Sequence, residues 1–517
     1  MFVWIRKNRT ALLFSIIMLL GMVLRIWKFG MLPDGINQDE AFAGYEAYSL
    51  LHYGKDSSNY SFPIYFTAWG SGMNALEIYL MIPFIRLLGL TPLAIRLPQL
   101  LVSIFTLLVL YLLAKKLYST NIALIALFLV AICPWHVMMS RWGLESNLTP
   151  GFLIFALYFF ILGTENPRFF ILSSVFYGLT LYCYATIWLI VPIILFSQVI
   201  YCLMYKKIYL CKEIAWSFFI LLLVAFPLLL FLLINYGLLP EIRTPYLSIP
   251  RLAFMRKGEV SLNNIGSNFQ HFATMLFFQS DNYHVNTIPQ YGIFYHFTLP
   301  LFLTGFVCMI IESIKSICHK SFYPSVFILI NAIAPGLLGL LISTNLTKIN
   351  SLFLPMLIIA AYGLIWIGKK VKPAYYILCV LYIISSASFT KYYFTDYPND
   401  IVCDFYLGAE DMLAQAAKMH KPIKVTKKLS YPVVLFYAQV NVNDYIASVN
   451  YSNYPSPFLD VNQFCDYYFI SELTELDKNF VYLLDDSYDL TLFLENGFEI
   501  THSTGIYYLA YANERSK

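Results

Sequence analysis

The sequence predicts a mainly α-helical, polytopic membrane protein with about eleven transmembrane helices, a long first outer loop carrying interfacial helices, and a small C-terminal α/β domain outside the membrane. Three observations lead there. The 517 residues are 59% hydrophobic and only 12% charged, with a mean hydropathy of +0.64, whereas a soluble domain carries about 25% charged residues. Apolar runs near the roughly 20 residues that span a bilayer recur along the chain, with basic residues on alternate loops between them. After about Lys391 the composition turns polar, with more Asp, Asn and Lys.

The apolar runs begin near Ala11, Leu97, Asn121, Thr149, Phe169, Trp188, Ile214, Gly292, Phe322, Ser351 and Pro373. The first is too long for a signal-peptide core and lacks a small-residue cleavage site, so it reads as a retained helix. Arg6, Lys7 and Arg9 precede it, Lys115 and Lys116 follow the second run, and Arg168 separates the fourth and fifth. Lys206, Lys207 and Lys212, then Lys315 and Lys320, then Lys369, Lys370 and Lys372 continue the alternation. The positive-inside rule then places the amino terminus in the cytoplasm. An odd helix count puts everything after about Lys391 outside.

Two outer loops are long. The first, from about Gly30 to Ile95, contains WGSGMNALEIYLMIPFIRLLG, whose apolar residues recur at helical spacing and suit a helix in the interface plane. The second, from about Asn235 to Tyr291, holds Arg243, Arg251, Arg256 and Lys257 where basic residues are normally sparse. Residues 391–517 combine a helical stretch, GAEDMLAQAAKMH, with β-like runs such as PVVLFYAQV and FVYLLDD. The expected division is therefore 1–390 for the membrane domain and 391–517 for a small outer domain. The net charge of +4 gives no argument for nucleic acid. Nine cysteines without a C-x-x-C pair suggest neither zinc nor redox chemistry, and only Cys403 and Cys465 lie in the polar region where pairing is open.

If the threading holds, ionisable residues gather on the outer face. Asp39 and Glu40 lie just beyond the first helix, PWHVMMSRWGLESNL carries His136, Arg141 and Glu145, and TNLTKIN carries Lys348. Ionisable residues at membrane level are functional candidates by default. A carboxylate can take a proton from a hydroxyl nucleophile while Arg and Lys hold an anionic leaving group such as phosphate. A leaving group anchored by a lipid tail would account for siting this chemistry in a membrane protein, and implies sugar transfer from a polyprenyl phosphate to an acceptor outside the cell.

These segments resemble a known family. LPDGINQDEAFAGYEAY is similar to the first outer loop of the C-type (GT-C) membrane glycosyltransferases of the protein O-mannosyltransferase and aminoarabinose transferase kind, with its acidic pair after helix one. AIRLPQLLVSIFTLLVLYLLAKKLYS, PWHVMMSRWGLESNL and LTKINSLFLPMLIIAAYGL resemble later motifs of that superfamily, in order, over about residues 10–370. The resemblance implies the GT-C architecture, Asp39 as catalytic base, Glu40 as its partner in the acidic pair, and Glu145 as a second acid. It implies donor-phosphate contacts from Arg141 and Lys348. Relatives active on lipid A have a Lys-Pro-Pro segment in the first loop, where this chain reads SFPIYFTAWGSGMN. A phosphate clamp would then come from Arg243, Arg251 or Lys348.

Each residue also has a plainer reading. Asp39 and Glu40 suit a helix amino terminus, and Glu145 lies four residues from Arg141, at ion-pair spacing. Glu46 reads as a surface group, and Trp69, Trp135 and Trp142 as an interfacial aromatic belt. The expected function is an inverting transfer of a monosaccharide from a polyprenyl-phosphate donor to a cell-envelope glycan or glycolipid, at the outer face of the cell membrane. The alternatives are a protein O-mannosyltransferase and a lipid-linked sugar transporter or flippase. The transporter reading is disfavoured because few charges lie mid-span. No nucleotide loop is present, and a divalent metal near the carboxylates stays open, since no ligand spacing demands one.

Overall fold

The computed structural model describes residues 8–255, 260, 262–473 and 475–512. Arg6, Lys7, Arg256 and Lys257 lie outside the described residues. The chain divides into two compact units, neither of them continuous in sequence. The first comprises Met1–Phe29, Pro98–Pro227 and Lys257–Asp396, and the second Gly30–Leu97, Leu228–Arg256 and Tyr397–Lys517.

Along the chain the main helices are α1 (Arg9–Ile26), α2 (Gln38–Tyr53), α3 (Leu76–Leu88), α4 (Pro92–Leu117), α5 (Thr120–Ala131), α6 (Thr149–Gly163) and α7 (Phe169–Thr180). They continue as α8 (Ile187–Met204), α9 (Lys212–Asn235), α10 (Ile265–Phe278), α11 (Thr298–Cys318), α12 (Ser325–Leu341), α13 (Phe353–Lys370) and α14 (Lys372–Thr395). Among the described residues, eight stretches are long and apolar enough to cross a bilayer: α1, α4, α8, α9, α11, α14, and α6 and α13 with the turns that lead into them. Helices α5, α7 and α12 are equally apolar but only 12, 12 and 17 residues long. The eleven expected runs all form helices, and three fall short of a full span by themselves. The chain is a multi-pass membrane protein. Helix α10, in the second long loop, was not expected. Trp135 and Trp142 are buried inside the first unit rather than forming a belt, with the Trp135 ring edge-on to Phe353.

Within the first unit, α11 and α13 cross at glycines. A Cβ on Gly305 would lie 2.1 Å from the Ile359 carbonyl oxygen, and one on Gly363 would lie 2.1 Å from that of Leu301. Small residues at such crossings let helix backbones approach closely, which is a main source of packing energy where lipid removes the hydrophobic drive.

The second unit is a mixed α/β assembly. Its remaining helices of six or more residues are α15 (Ala409–Ala417), α16 (Tyr431–Ala438), α17 (Val442–Ser448) and α18 (Leu490–Glu495). Besides two short two-stranded ribbons in the long loops, its strands are β1 (Ile423–Thr426), β2 (Asn450–Tyr451), β3 (Val461–Phe464), β4 (Tyr467–Ile470), β5 (Val481–Leu484), β6 (Phe498–His502) and β7 (Tyr508–Ala512). They form one sheet in the order β6-β7-β5-β1-β4-β3-β2, with β1 parallel to both neighbours and the other pairings antiparallel. All four β5 side chains are buried, as a strand covered on both faces requires.

The larger core joins the sheet and α15–α17 to the first long loop, with Phe42, Ile78 and Ile95 in one cluster with Val425, Phe436 and Leu483. Helix α3 is the expected amphipathic element, turning Ile78, Met81 and Ile85 to that core. The run PVVLFYAQV, expected as a strand, is helix α16. Its apolar residues are buried on every side, so they carry no alternation, and Pro432 in the first turn with Gln439 in the left-handed region bounds the helix. The cysteines are free, including Cys403 and Cys465.

The α11–α13 crossing makes a direct prediction. Gly363→Val forces the two backbones apart and lowers stability by about 1–3 kcal/mol, seen as a fall in the melting temperature of the detergent-purified protein. Gly336→Ala, with nothing within 4 Å of the added carbon, leaves it unchanged or raised.

Candidate functional site

The acidic pair sits at the start of α2, and the local sequence explains its geometry. Gly35 adopts φ +79°, and a Cβ there would meet the Phe405 carbonyl oxygen at 2.1 Å, so glycine is required. Asn37 caps the helix. Its side chain accepts from the Asp39 N–H at 3.0 Å, while Glu40 Oε2 accepts from the Asn37 N–H at 3.1 Å, completing a capping box.

Glu40 has a further commitment. Arg96, at the entry of α4, donates from Nε to Oε1 at 2.7 Å and from Nη2 to Oε2 at 2.8 Å, and both side chains have no solvent exposure. The same guanidinium donates to the carbonyls of Pro33 at 2.7 Å and Gly35 at 2.8 Å. The two-pronged ion pair therefore anchors the loop before α2 as well as the helix. Asp39 is left half-buried in the first turn of α2, where the helix dipole favours a negative charge. Its carboxylate is one of the charges that raise the Tyr406 phenol to about 12, an effect due first to burial.

One and two turns along α2 lie Phe42 and Glu46. Glu46 is buried, not a surface group. Its carboxyl accepts from the Ser57 N–H at 2.9 Å and from the Ser57 hydroxyl. Asp56, also buried, accepts from the N–H groups of Ser58 at 3.0 Å and Tyr60 at 2.7 Å. Burial, then the Asp56 charge, pushes Glu46 above the usual carboxylate range. Burial does the same to Asp56, against its N–H donors and the opposing field of Arg243.

Beside this pair opens a hollow of about 270 Å³. The first loop contributes Phe42, Ser57, Ser58, Tyr60 and Thr67, the second loop Arg243 and Arg251, and the C-terminal segment Tyr431, Tyr451 and Tyr454. Backbone hydrogen bonds stitch the three together, from Ile64 N–H to Ser248 O at 3.1 Å, Phe254 N–H to Gly70 O at 3.0 Å, and Leu459 N–H to Trp69 O at 2.8 Å. Arg243 lies over the Tyr60 ring at 4.0 Å and pairs with Glu241 at 2.8 Å, and Glu241 also accepts from the Tyr60 hydroxyl at 2.8 Å. Arg251 donates to the Leu239 carbonyl at 2.8 Å. The hollow thus offers two cations, hydroxyl groups and aromatic rings, a set suited to an anion attached to a sugar.

Glu145, Arg141 and Lys348 belong to the first unit. Arg141 is fully buried and donates to four carbonyls at the exit of α1: Leu24 at 3.2 Å, Arg25 at 2.7 Å, Trp27 at 2.7 Å and Lys28 at 3.1 Å. The first two lie in the last turn of α1, where a helix leaves its carbonyls without intrahelical partners, and the other two lie just beyond it. His136 is equally buried, its Nδ1 accepting from Arg25 at 2.6 Å. Glu145 opens the turn Glu145–Leu148 and is 9% exposed. Lys348 is half-buried in the turn Leu346–Ile349, capped by Asn345. The two turns are tied by Asn350, which donates to the Ser146 carbonyl at 2.8 Å. The second unit therefore holds Asp39, Glu40, Arg243 and Arg251, and the first holds the other three. Arg96 and the Glu46–Asp56 pair were missed. A lone arginine at the mouth of an apolar helix was the available signal for Arg96. Among the described residues, no three His, Cys, Asp or Glu side chains group to hold a metal ion.

Two outcomes follow from these buried charges. Arg96→Met leaves Glu40 charged and unpaired and lowers stability by about 3–5 kcal/mol, while the Glu40→Leu, Arg96→Met double variant loses less; denaturant titration of each measures this. The Glu46–Asp56 pair holds more protons in the native state than in the unfolded chain. Its stabilisation is complete below the ordinary carboxylate range and is lost as pH rises through the raised native values. The slope reaches up to about 1.4 kcal/mol per pH unit for each proton released. Melting curves from about pH 5 to about pH 9 show the decline, and Glu46→Gln flattens it.

The comparisons with known proteins agree with this architecture. Residues 76–235 match the dolichyl-phosphate-mannose-protein mannosyltransferase family. No curated protein matches the chain. Among solved structures, ArnT from Cupriavidus metallidurans in the apo state superposes with a TM-score of 0.57 at 12% identity, over 98% of this chain and 98% of that one. The same protein bound to undecaprenyl phosphate gives 0.56 at 12% identity, over 98% and 99%. The Archaeoglobus fulgidus oligosaccharyltransferase, in complex with Zn and sulfate, gives 0.54 at 14% identity, over 82% of this chain. The chain spans only 61% of that protein's length. The chain thus carries a stretch that matches the mannosyltransferase family, and its fold is like that of ArnT and the oligosaccharyltransferase.

Proposed function

We propose that the protein transfers a monosaccharide from a polyprenyl-phosphate-linked donor to a hydroxyl of an extracytoplasmic acceptor, a cell-envelope glycan or glycolipid, with inversion at the anomeric carbon. The observation that carries this reading is the unequal fate of the two acids at the start of α2. Glu40 is consumed by Arg96 and the helix cap, whereas Asp39, on the rigid turn so formed, stays half-exposed. Support for the donor class comes from the mannosyltransferase match over 76–235 and from the undecaprenyl phosphate bound by the similarly folded ArnT.

In this reading Asp39 takes the proton of the acceptor hydroxyl. The oxygen attacks the anomeric carbon from the side opposite the phosphate, the bond from that carbon to the phosphate oxygen breaks, and polyprenyl phosphate leaves with the electron pair. Arg243 and Arg251 are the cations assigned to the anion. Glu40 is a positioning residue, and Arg141, with four carbonyls around it, holds the exit of α1. Glu145 and Lys348 keep the roles the resemblance gives them, a second acid and a phosphate contact. The amino terminus is assigned to the cytoplasm and Asp39 to the outside of the cell membrane. The mannosyltransferase match also favours a second reading, in which the acceptor is a Ser or Thr of a protein.

Purified protein in detergent, given polyprenyl-phosphate sugars with glycan, glycolipid or peptide acceptors, tests the assignment. Asp39→Asn is expected to lower transfer by at least about 100-fold, the lower range for general-base catalysis. Transfer that survives the substitution removes Asp39 as the base. Lipid-linked sugar crossing proteoliposomes with no new glycosidic bond replaces the enzyme by a transporter.

A further inference from the structure

The first unit contains a second, larger hollow, of about 690 Å³, which nothing in the transfer reaction uses. Helices α1, α5, α13 and α14 line it. Each of the first three is polar at one end of the hollow and apolar deeper in. On α1, Arg9 is followed by Leu13 and Ile17, four and eight residues on, which is one helical face. On α5, Asn121 is followed by Ile125 and Phe128; on α13, Lys369 is preceded by Ile365. Lys372 and Tyr376, on α14, complete the polar end.

Eight residues of helix correspond to about 12 Å, so a cationic mouth opens onto an apolar wall of roughly that depth. Three cations line the hollow and no carboxylate does. None of the three is in an ion pair among the described residues. Charge and polarity therefore both ask for a molecule with an anionic head and an apolar chain. The basic residues mark this as the cytoplasmic end by the positive-inside rule, which is where anionic lipid heads attract basic clusters between helices.

We infer that this hollow binds one anionic glycerophospholipid of the cytoplasmic leaflet, its phosphate held by Arg9, Lys369 and Lys372 and an acyl chain laid along Leu13, Ile17 and Phe128. The inference does not rest on sugar transfer and is read without it.

Native mass spectrometry of the full chain, released from detergent with phosphatidylglycerol, phosphatidylcholine, undecaprenyl phosphate or inorganic phosphate, tests it. Retained phosphatidylglycerol is expected, without phosphatidylcholine. The Arg9→Gln, Lys369→Gln, Lys372→Gln variant should bind it about 125-fold more weakly, taking about fivefold for each of the three cations removed. A control variant, Lys206→Gln, Lys207→Gln, Lys212→Gln, removes the same charge elsewhere and should change nothing. Equal loss in the control, equal retention of phosphatidylcholine, or tighter retention of undecaprenyl phosphate or inorganic phosphate overturns the assignment. Ile17→Trp keeps every charge and covers a triple variant that fails to insert. Its added fluorescence should be quenched by chain-brominated phosphatidylglycerol more than by the phosphatidylcholine analogue, and equal quenching also overturns the assignment.

Discussion

The guanidinium of Arg96 and the carboxylate of Glu40 meet without solvent, and each reaches beyond the other. Arg96 also holds the carbonyls of Pro33 and Gly35, while Glu40 closes the capping box with Asn37. Burying two such ions has a large desolvation cost, which a two-pronged geometry with further bonds to the Pro33 and Gly35 carbonyls can offset. The result is specificity of position. The turn before α2 has one arrangement, Asn37 donates onward to the Asp404 carbonyl at 3.0 Å, and Ile36 donates to Phe405 at 2.8 Å. Asp39, next to Glu40 in the first turn of α2, sits on that turn.

The same division of labour recurs among the other charges. Arg141 and Arg25 are fully buried and spend their donors on backbone carbonyls, Arg25 on those of Gly21, Val130 and Ala131 as well as on His136. They fix the exit of α1 and the end of α5. Arg243 and Arg251, by contrast, stand at the rim of a hollow floored by hydroxyls and rings. Burial separates the arginines that hold the chain from those that line the hollow.

Hydropathy made the helical part of the fold legible because lipid leaves a backbone few options, and each apolar run became a helix. The acidic pair was legible for a related reason, since charges at the mouth of such a run stand out. What hydropathy could not show was pairing across distance. Glu46 looked like a surface group because nothing local betrays Asp56 and Ser57 closing over it. Arg96 looked like part of a helix entry because its partner lies 56 positions away. The run PVVLFYAQV has the β-branched residues of a strand, but burial on all sides erased the period that would have told strand from helix. The tyrosines of the hollow, Tyr431, Tyr451 and Tyr454, come from a segment whose approach to the first loop no local pattern encodes.

The second unit draws its core from stretches far apart in the chain, with Phe42 and Ile95 packed in one cluster with Val425 and Leu509. During synthesis the early stretch emerges long before its partners exist. At about 10 residues per second the ribosome needs tens of seconds more to complete the rest. For that interval the apolar faces of α2 and α3 have no sheet to rest on, and the bilayer surface is the nearest shelter for them. Biogenesis of this protein thus has an obligatory waiting step, set by gene order rather than by the stability of the finished molecule.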